Sequence, residues 1–152
     1  MIYPQINDPY TQSVDASLLE QAAQAVLDHQ KIPTQPDLSI VITNNEDIQA
    51  LNKEFMDIDA PTDVLSFPSD ELDLDTGNRY LGDVIISYPQ AEAQSQAEGH
   101  TTAEELQLLV VHGVLHLLGY DHADEEQKKQ MWSAQSEILA GLNNPLNRSY
   151  SF

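Results

Sequence analysis

The stretch TTAEELQLLVVHGVLHLLGYDH, residues 101–122, decides how this chain is read. Thr101 and Thr102 are each followed three residues later by an acid, Glu104 and Glu105, which doubles the capping-box pattern: a hydroxyl accepts from an orphan amide while a carboxylate reaches back. A helix is predicted to start there. Leu106, Leu108, Leu109, Val110, Val111, Val114, Leu115, Leu117 and Leu118 then cover almost every face, so the helix should run buried through the middle of the domain. Into this apolar surface are set His112 and His116.

Four residues are a little over one helical turn, so these imidazoles share a face and can converge on one point. Gly119 stands where a left-handed residue ends a helix, and the reversal there should bring His122 back towards the other two. A lone histidine on an apolar face is commonly a core residue with a satisfied ring. Here three of the chain's five histidines follow HxxxHxxGxxH spacing, which that explanation does not cover. Three neutral imidazoles plus water make a zinc site with an open fourth position, whereas structural sites are closed by four ligands, commonly including Cys, and this chain has no Cys. One zinc ion on His112, His116 and His122 is therefore expected, with its water as the catalytic group.

Outward from this helix, residues 1–6 read as a short strand and 15–29 as an amphipathic helix with Leu18, Leu19, Ala22, Ala23, Val26 and Leu27 on one face. His29, near its end, reads as a surface residue. Residues 38–43, LSIVIT, predict a central strand, and Asn44 caps a helix with Ile48, Leu51 and Phe55 on one side. Residues 64–67 lie between Pro61 and Pro68, which suits an edge strand because proline removes ladder donors. An acidic loop or hairpin tip follows at 69–79, then a strong strand at 80–88. Ser87 and Pro89 open a helix that reaches Glu98 before Gly99 breaks it. Asp124 starts a last helix whose apolar face carries Met131, Trp132, Ile138 and Leu139. The expected fold class is α/β (α+β), a small mixed sheet backing the buried zinc helix. One domain is expected over 1–141, with 142–152 as a loose tail.

Acidic residues number 25 against 6 basic ones, for a net charge of −19. A protein that binds bare nucleic acid shows the reverse, because its affinity comes from Lys and Arg displacing counterions from phosphates. The balance fits a highly soluble surface, or an acidic face that docks a basic partner. The first residues lack a basic region followed by an apolar one, and no apolar run approaches the ~20 residues of a membrane span. A soluble, cytoplasmic protein with no membrane partner and no dinucleotide cofactor is expected.

HGVLHLLGYDH, together with PTDVLSFP and LGDVIIS in the same order, resembles the YbeY family, bacterial metal-dependent endoribonucleases associated with maturation of the 3′ end of small-subunit ribosomal RNA and with ribosome quality control. The resemblance spans about 38–140. It implies a four-stranded mixed sheet with about five helices, zinc on His112, His116 and His122, cleavage of single-stranded RNA, and the small ribosomal subunit or a basic ribosomal protein as partner. Asp63 and Asp121 are candidates for a base or for orienting a ligand. Arg79 and Lys53 are the basic residues near the motifs. Met56, Thr62 and Asp63 would face the substrate, and Met56 stands where the family pattern has an Arg. The zinc motif of metzincin proteases, HExxHxxGxxH, shares the spacing, but Gly113 occupies its general-base position. A zinc protease is accordingly the weakest reading, and a non-catalytic, zinc-stabilised ribosome-binding module stands between the two.

Overall fold

Two apolar strands, β2 (Asp37–Thr43) and β4 (Tyr80–Ser87), form the interior of the sheet and pair in parallel. Their Ile40, Ile42, Val84 and Ile86 have no exposed surface. The computed structural model, which describes residues 1–146, places β1 (Ile2–Ile6) parallel to β2 on one side and β3 (Val64–Pro68) antiparallel to β4 on the other. The order is β1-β2-β4-β3, a mixed four-stranded sheet with β3 at an edge, as its flanking prolines predicted.

Five α-helices surround this sheet: α1 (Ala16–His29), α2 (Asn45–Met56), α3 (Tyr88–Glu98), α4 (Thr102–Leu117) and α5 (Glu125–Gly141). Each opens on a side chain that accepts an orphan amide, from Asp15, Asn44, Ser87, Thr101 and Asp124 in turn. Only half of the doubled capping box forms. Glu104 N donates to Thr101 Oγ1 at 3.1 Å, and Thr101 N donates to Glu104 Oε1 at 2.9 Å. Glu105 is instead fully buried, with its Oε1 2.7 Å from His100 Nε2, because one helix position further on points at the core rather than back at the cap.

The buried helix is α4, which packs against α1, α3, α5, β3 and β4. From Leu106 to Leu115 its apolar side chains form the main core with α1, β2, β4 and α5. A smaller core, built from Ile48, Leu65 and Ile85, lies under α2 on the other side of the sheet. Two expected core residues fall outside these cores. Phe55 is 58% exposed: the last turn of α2 lies over edge strand β3, whose Phe67 meets its ring edge-on at 5.3 Å, and among the described residues no strand follows β3 to cover the rest. Trp132 is half-buried, one position off the stripe of Met131, Ala134, Gln135, Ile138 and Leu139 that α5 buries.

After α5 the chain is tied back onto α4. Asn144 Nδ2 donates to Glu104 O at 3.1 Å and to Gln107 Oε1 at 2.9 Å, and Leu146 is buried. The rest of the expected loose tail, 147–152, lies outside the described residues. Among the described residues no helix is long and apolar enough to cross a membrane. The Thr101→Ala variant loses its cap, so urea unfolding should show a loss of about 1 kcal/mol. Its metal content should be unchanged, since the histidines stand at the other end of α4.

Candidate metal centre

The C-terminal half of α4 carries His112, 2% exposed, and His116, half-buried one turn further on. Their rings meet edge-on with centroids 4.5 Å apart. The helix stops at Leu117, and Gly119 takes φ +102°, a conformation that side chains oppose and glycine does not. Gly119 N donates to His116 O at 3.0 Å and Tyr120 N to Leu115 O at 3.1 Å, closing the reversal. His122 is returned to within 6.2 Å of the His112 ring and 5.3 Å of the His116 ring, centroid to centroid. One ring nitrogen from each of the three lies within 4.8 Å of the others, so this group can hold a metal ion.

The proton positions fit that use. His116 Nδ1 lies 2.8 Å from the Tyr120 carbonyl, and His112 Nδ1 lies 3.1 Å from Gln135 Oε1. Both acceptors call for a proton on Nδ1, which leaves each Nε2 as a lone pair. The two Nε2 atoms lie 2.9 Å apart, on the side of the rings where His122 joins them. Burial, followed by the charge of nearby His116, pushes the His112 pKa down to about 2, and burial lowers His116 as well. Both rings are therefore neutral at physiological pH, the form that ligates.

Above the histidines opens a cleft of about 540 Å³. Its walls are Val64, Ser66 and Pro68 of β3, Met56 at the end of α2, and the Gly119–His122 reversal. Met56, Thr62 and Asp121 line it; Asp63 and Arg79 do not. Asp63 is 6% exposed and works inside the fold, accepting from Val64 N at 2.8 Å and from Gln94 Nε2 at 3.2 Å, which ties the start of β3 to α3. Arg79 donates to Asp70 at 3.2 Å, and Lys53 lies 3.9 Å from Asp59. Asp121 Oδ1 accepts from His122 N at 2.7 Å, bracing the backbone of the third histidine. No Lys or Arg lines the cleft among the described residues.

Gly113 has a reason of its own. A Cβ there would stand 2.6 Å from Val84 Cγ1 and 3.3 Å from Ser66 Oγ, and the Ser66 hydroxyl donates to the Gly113 carbonyl at 3.0 Å. At this point α4 lies directly on β3 and β4, and the place of a protease's base has no room for any side chain. Sequence reasoning missed Ser66, the Tyr120 carbonyl and Gln135. The last left a trace, because a glutamine four residues after Met131 and three before Ile138 sits on the stripe that should be apolar.

The family model described as Endoribonuclease YbeY matches residues 5–143. The chain belongs to the YbeY family. Relatives named endoribonuclease YbeY from Acetivibrio thermocellus and Heliobacterium modesticaldum are 43% and 44% identical over 138 and 144 residues, covering 83% and 88% of this chain and 85% and 86% of theirs. One from Chloroflexus aggregans is 42% identical over 145 residues, 88% of this chain and 91% of its own. The solution structure of a Thermotoga maritima protein, 24% identical, shares the fold with a TM-score of 0.59 over 97% of this chain and 95% of that one.

Two outcomes follow for this YbeY-family chain. Because the folded pKa of His112 lies below its unfolded value of about 6.5, the native state binds fewer protons than the unfolded one. Metal-free protein should thus lose stability as pH falls below about 6.5, by about 1.4 kcal/mol per unit from this residue, in denaturant titrations across pH. Gly113→Glu should lower the melting temperature and add no peptidase activity, since even its Cβ would collide with Val84; peptide hydrolysis by a folded variant would contradict this.

Proposed function

We propose that this chain is a zinc-dependent endoribonuclease that cleaves single-stranded RNA during maturation of the 3′ end of small-subunit ribosomal RNA, with a part in ribosome quality control. One observation carries the reading: three convergent imidazoles floor an open cleft beside an edge strand, in a chain that matches an endoribonuclease family over residues 5–143. An all-imidazole set suits zinc better than magnesium or calcium, which favour oxygen ligands. When bound, such an ion supplies Lewis acidity towards a phosphoryl oxygen and lowers the pKa of water from about 15.7 towards about 7.

The chain's own residues do the rest. His112, His116 and His122 hold the ion, and the Tyr120 carbonyl fixes the His116 ring. Asp121, exposed at the cleft wall, is the carboxylate placed to take a proton from an attacking hydroxyl, whether of water or of a ribose. Val64, Ser66 and Pro68 give the substrate strand a wall to lie along. Cleavage builds negative charge on the phosphoryl oxygens, and at the position of the family's Arg the cleft offers Met56, 45% exposed and uncharged. A net charge of −19 further opposes capture of naked RNA, so the substrate is presented by the small subunit, through a basic ribosomal protein that the acidic surface docks, in the cytoplasm.

The missing cation also favours a second reading, a ribosome-binding module stabilised by its metal. Zinc-loaded protein should cut an RNA with an unprocessed 3′ end faster on the small-subunit particle than free, and affinity for the particle should fall with added salt. His116→Ala should lose both zinc and cleavage. Met56→Arg should speed cleavage of naked RNA at least tenfold with zinc content unchanged, a modest share of the roughly 10³ to 10⁵ that arginine fingers supply. Arg79→Ala should be silent, because Arg79 is turned to Asp70. If neither the natural protein nor Met56→Arg cuts RNA, free or on the particle, the binding module is the better account.

A further inference from the structure

We propose that Gln135 is a positioning residue for the metal: from α5 it holds His112 in the tautomer whose Nε2 is free to ligate. The proposal rests on the metal-binding part of the reading above and not on RNA cleavage. Gln135 is fully buried on the stripe that α5 presses against α4. Its Oε1 stands 3.1 Å from His112 Nδ1, and among the described residues its Nε2 has no hydrogen-bond partner. A buried amide left half-satisfied destabilises the fold, a penalty that leucine or methionine at the same place would avoid. Packing therefore does not account for glutamine here. Acceptance of the Nδ1 proton does.

The alternatives differ at one atom. With Oε1 towards the ring, the proton sits on Nδ1 and the Nε2 lone pair points at the convergence of the three histidines. With the amide reversed, its nitrogen would donate to Nδ1, and the ring proton would have to sit on Nε2, 2.9 Å from His116 Nε2, where the ion belongs. An apolar residue would permit either tautomer. A carboxylate would permit only the first. The same helix begins just after His122, with Asp124 as its cap, so the docking of α5 sets both the approach of the third ligand and the protonation of the first.

The test uses metal-free protein and no RNA, so it stands or falls apart from the cleavage reading. Imidazole nitrogen shifts by NMR should show His112 with its proton on Nδ1 in the natural protein and in Gln135→Glu, and a shift towards the Nε2-protonated form in Gln135→Leu. Zinc affinity, from competition with a chromophoric chelator, should fall 10- to 100-fold in Gln135→Leu and hold or tighten in Gln135→Glu. Should Gln135→Leu fail to fold, Gln135→Met, which is unbranched like glutamine, replaces it, and the Gln135→Glu comparison stands regardless. The proposal is overturned if His112 carries its proton on Nε2 in the natural protein, if an apolar variant binds zinc within twofold of it, or if Gln135→Glu weakens zinc as much as the apolar variant does.

Discussion

An imidazole enclosed in an apolar helix has to remain neutral, and much of the arrangement around His112 follows from that. Hydration of a charged ring is lost on burial, and no carboxylate stands among the causes that shift its titration, so the pKa falls to about 2. A neutral ring still has one donor and one acceptor to satisfy. In the proposed arrangement Gln135 takes the donor, and Nε2 lies 2.9 Å from Nε2 of His116. With His122 these rings form a group that could hold a metal ion, and that capacity is built into the core before any substrate is considered.

The placement of that pair depends in turn on how closely α4 can approach the sheet. Gly113 lets the helix backbone lie against Val84 and Ser66, and the Ser66 hydroxyl bonds to the Gly113 carbonyl. Edge strand β3 is thereby held next to the histidines, and its Val64, Ser66 and Pro68 become the wall of the cleft. A larger residue at 113 would lift the helix and open the wall. The missing general base of a protease and the presence of the cleft wall are two results of one contact.

Much of this was legible in the residues because it is local. Helix caps act within three residues, glycine reversals within two, and the prolines around 64–67 mark an edge by removing donors; apart from the second acid of the doubled capping box these were read correctly, as was the convergence of three histidines. What was not legible depended on partners distant in sequence. Phe55 continues the periodicity of α2, but only the strand order reveals that β3 is the last layer beneath it. Glu105 looks like a capping acid until His100 and the core direction claim it. Asp63 sits in a motif beside the cleft, yet Gln94 on α3 draws its carboxylate inward. Gln135 lies 23 positions from its partner, on a helix whose register against α4 no local pattern states.

The charge of the cleft completes the picture from the other side. An ion held by His112, His116 and His122 would keep its full positive charge, since no carboxylate belongs to that group. In a chain of net charge −19 whose cleft lacks Lys and Arg among its described residues, such an ion would be the positive feature of the site. A polyanion approaching from solvent meets long-range repulsion first and local attraction only within about a Debye length, ~8 Å at physiological salt. Under the proposed presentation by a basic surface, the substrate would arrive with its charge already compensated, and the same acidic exterior that opposes the naked strand would favour its carrier.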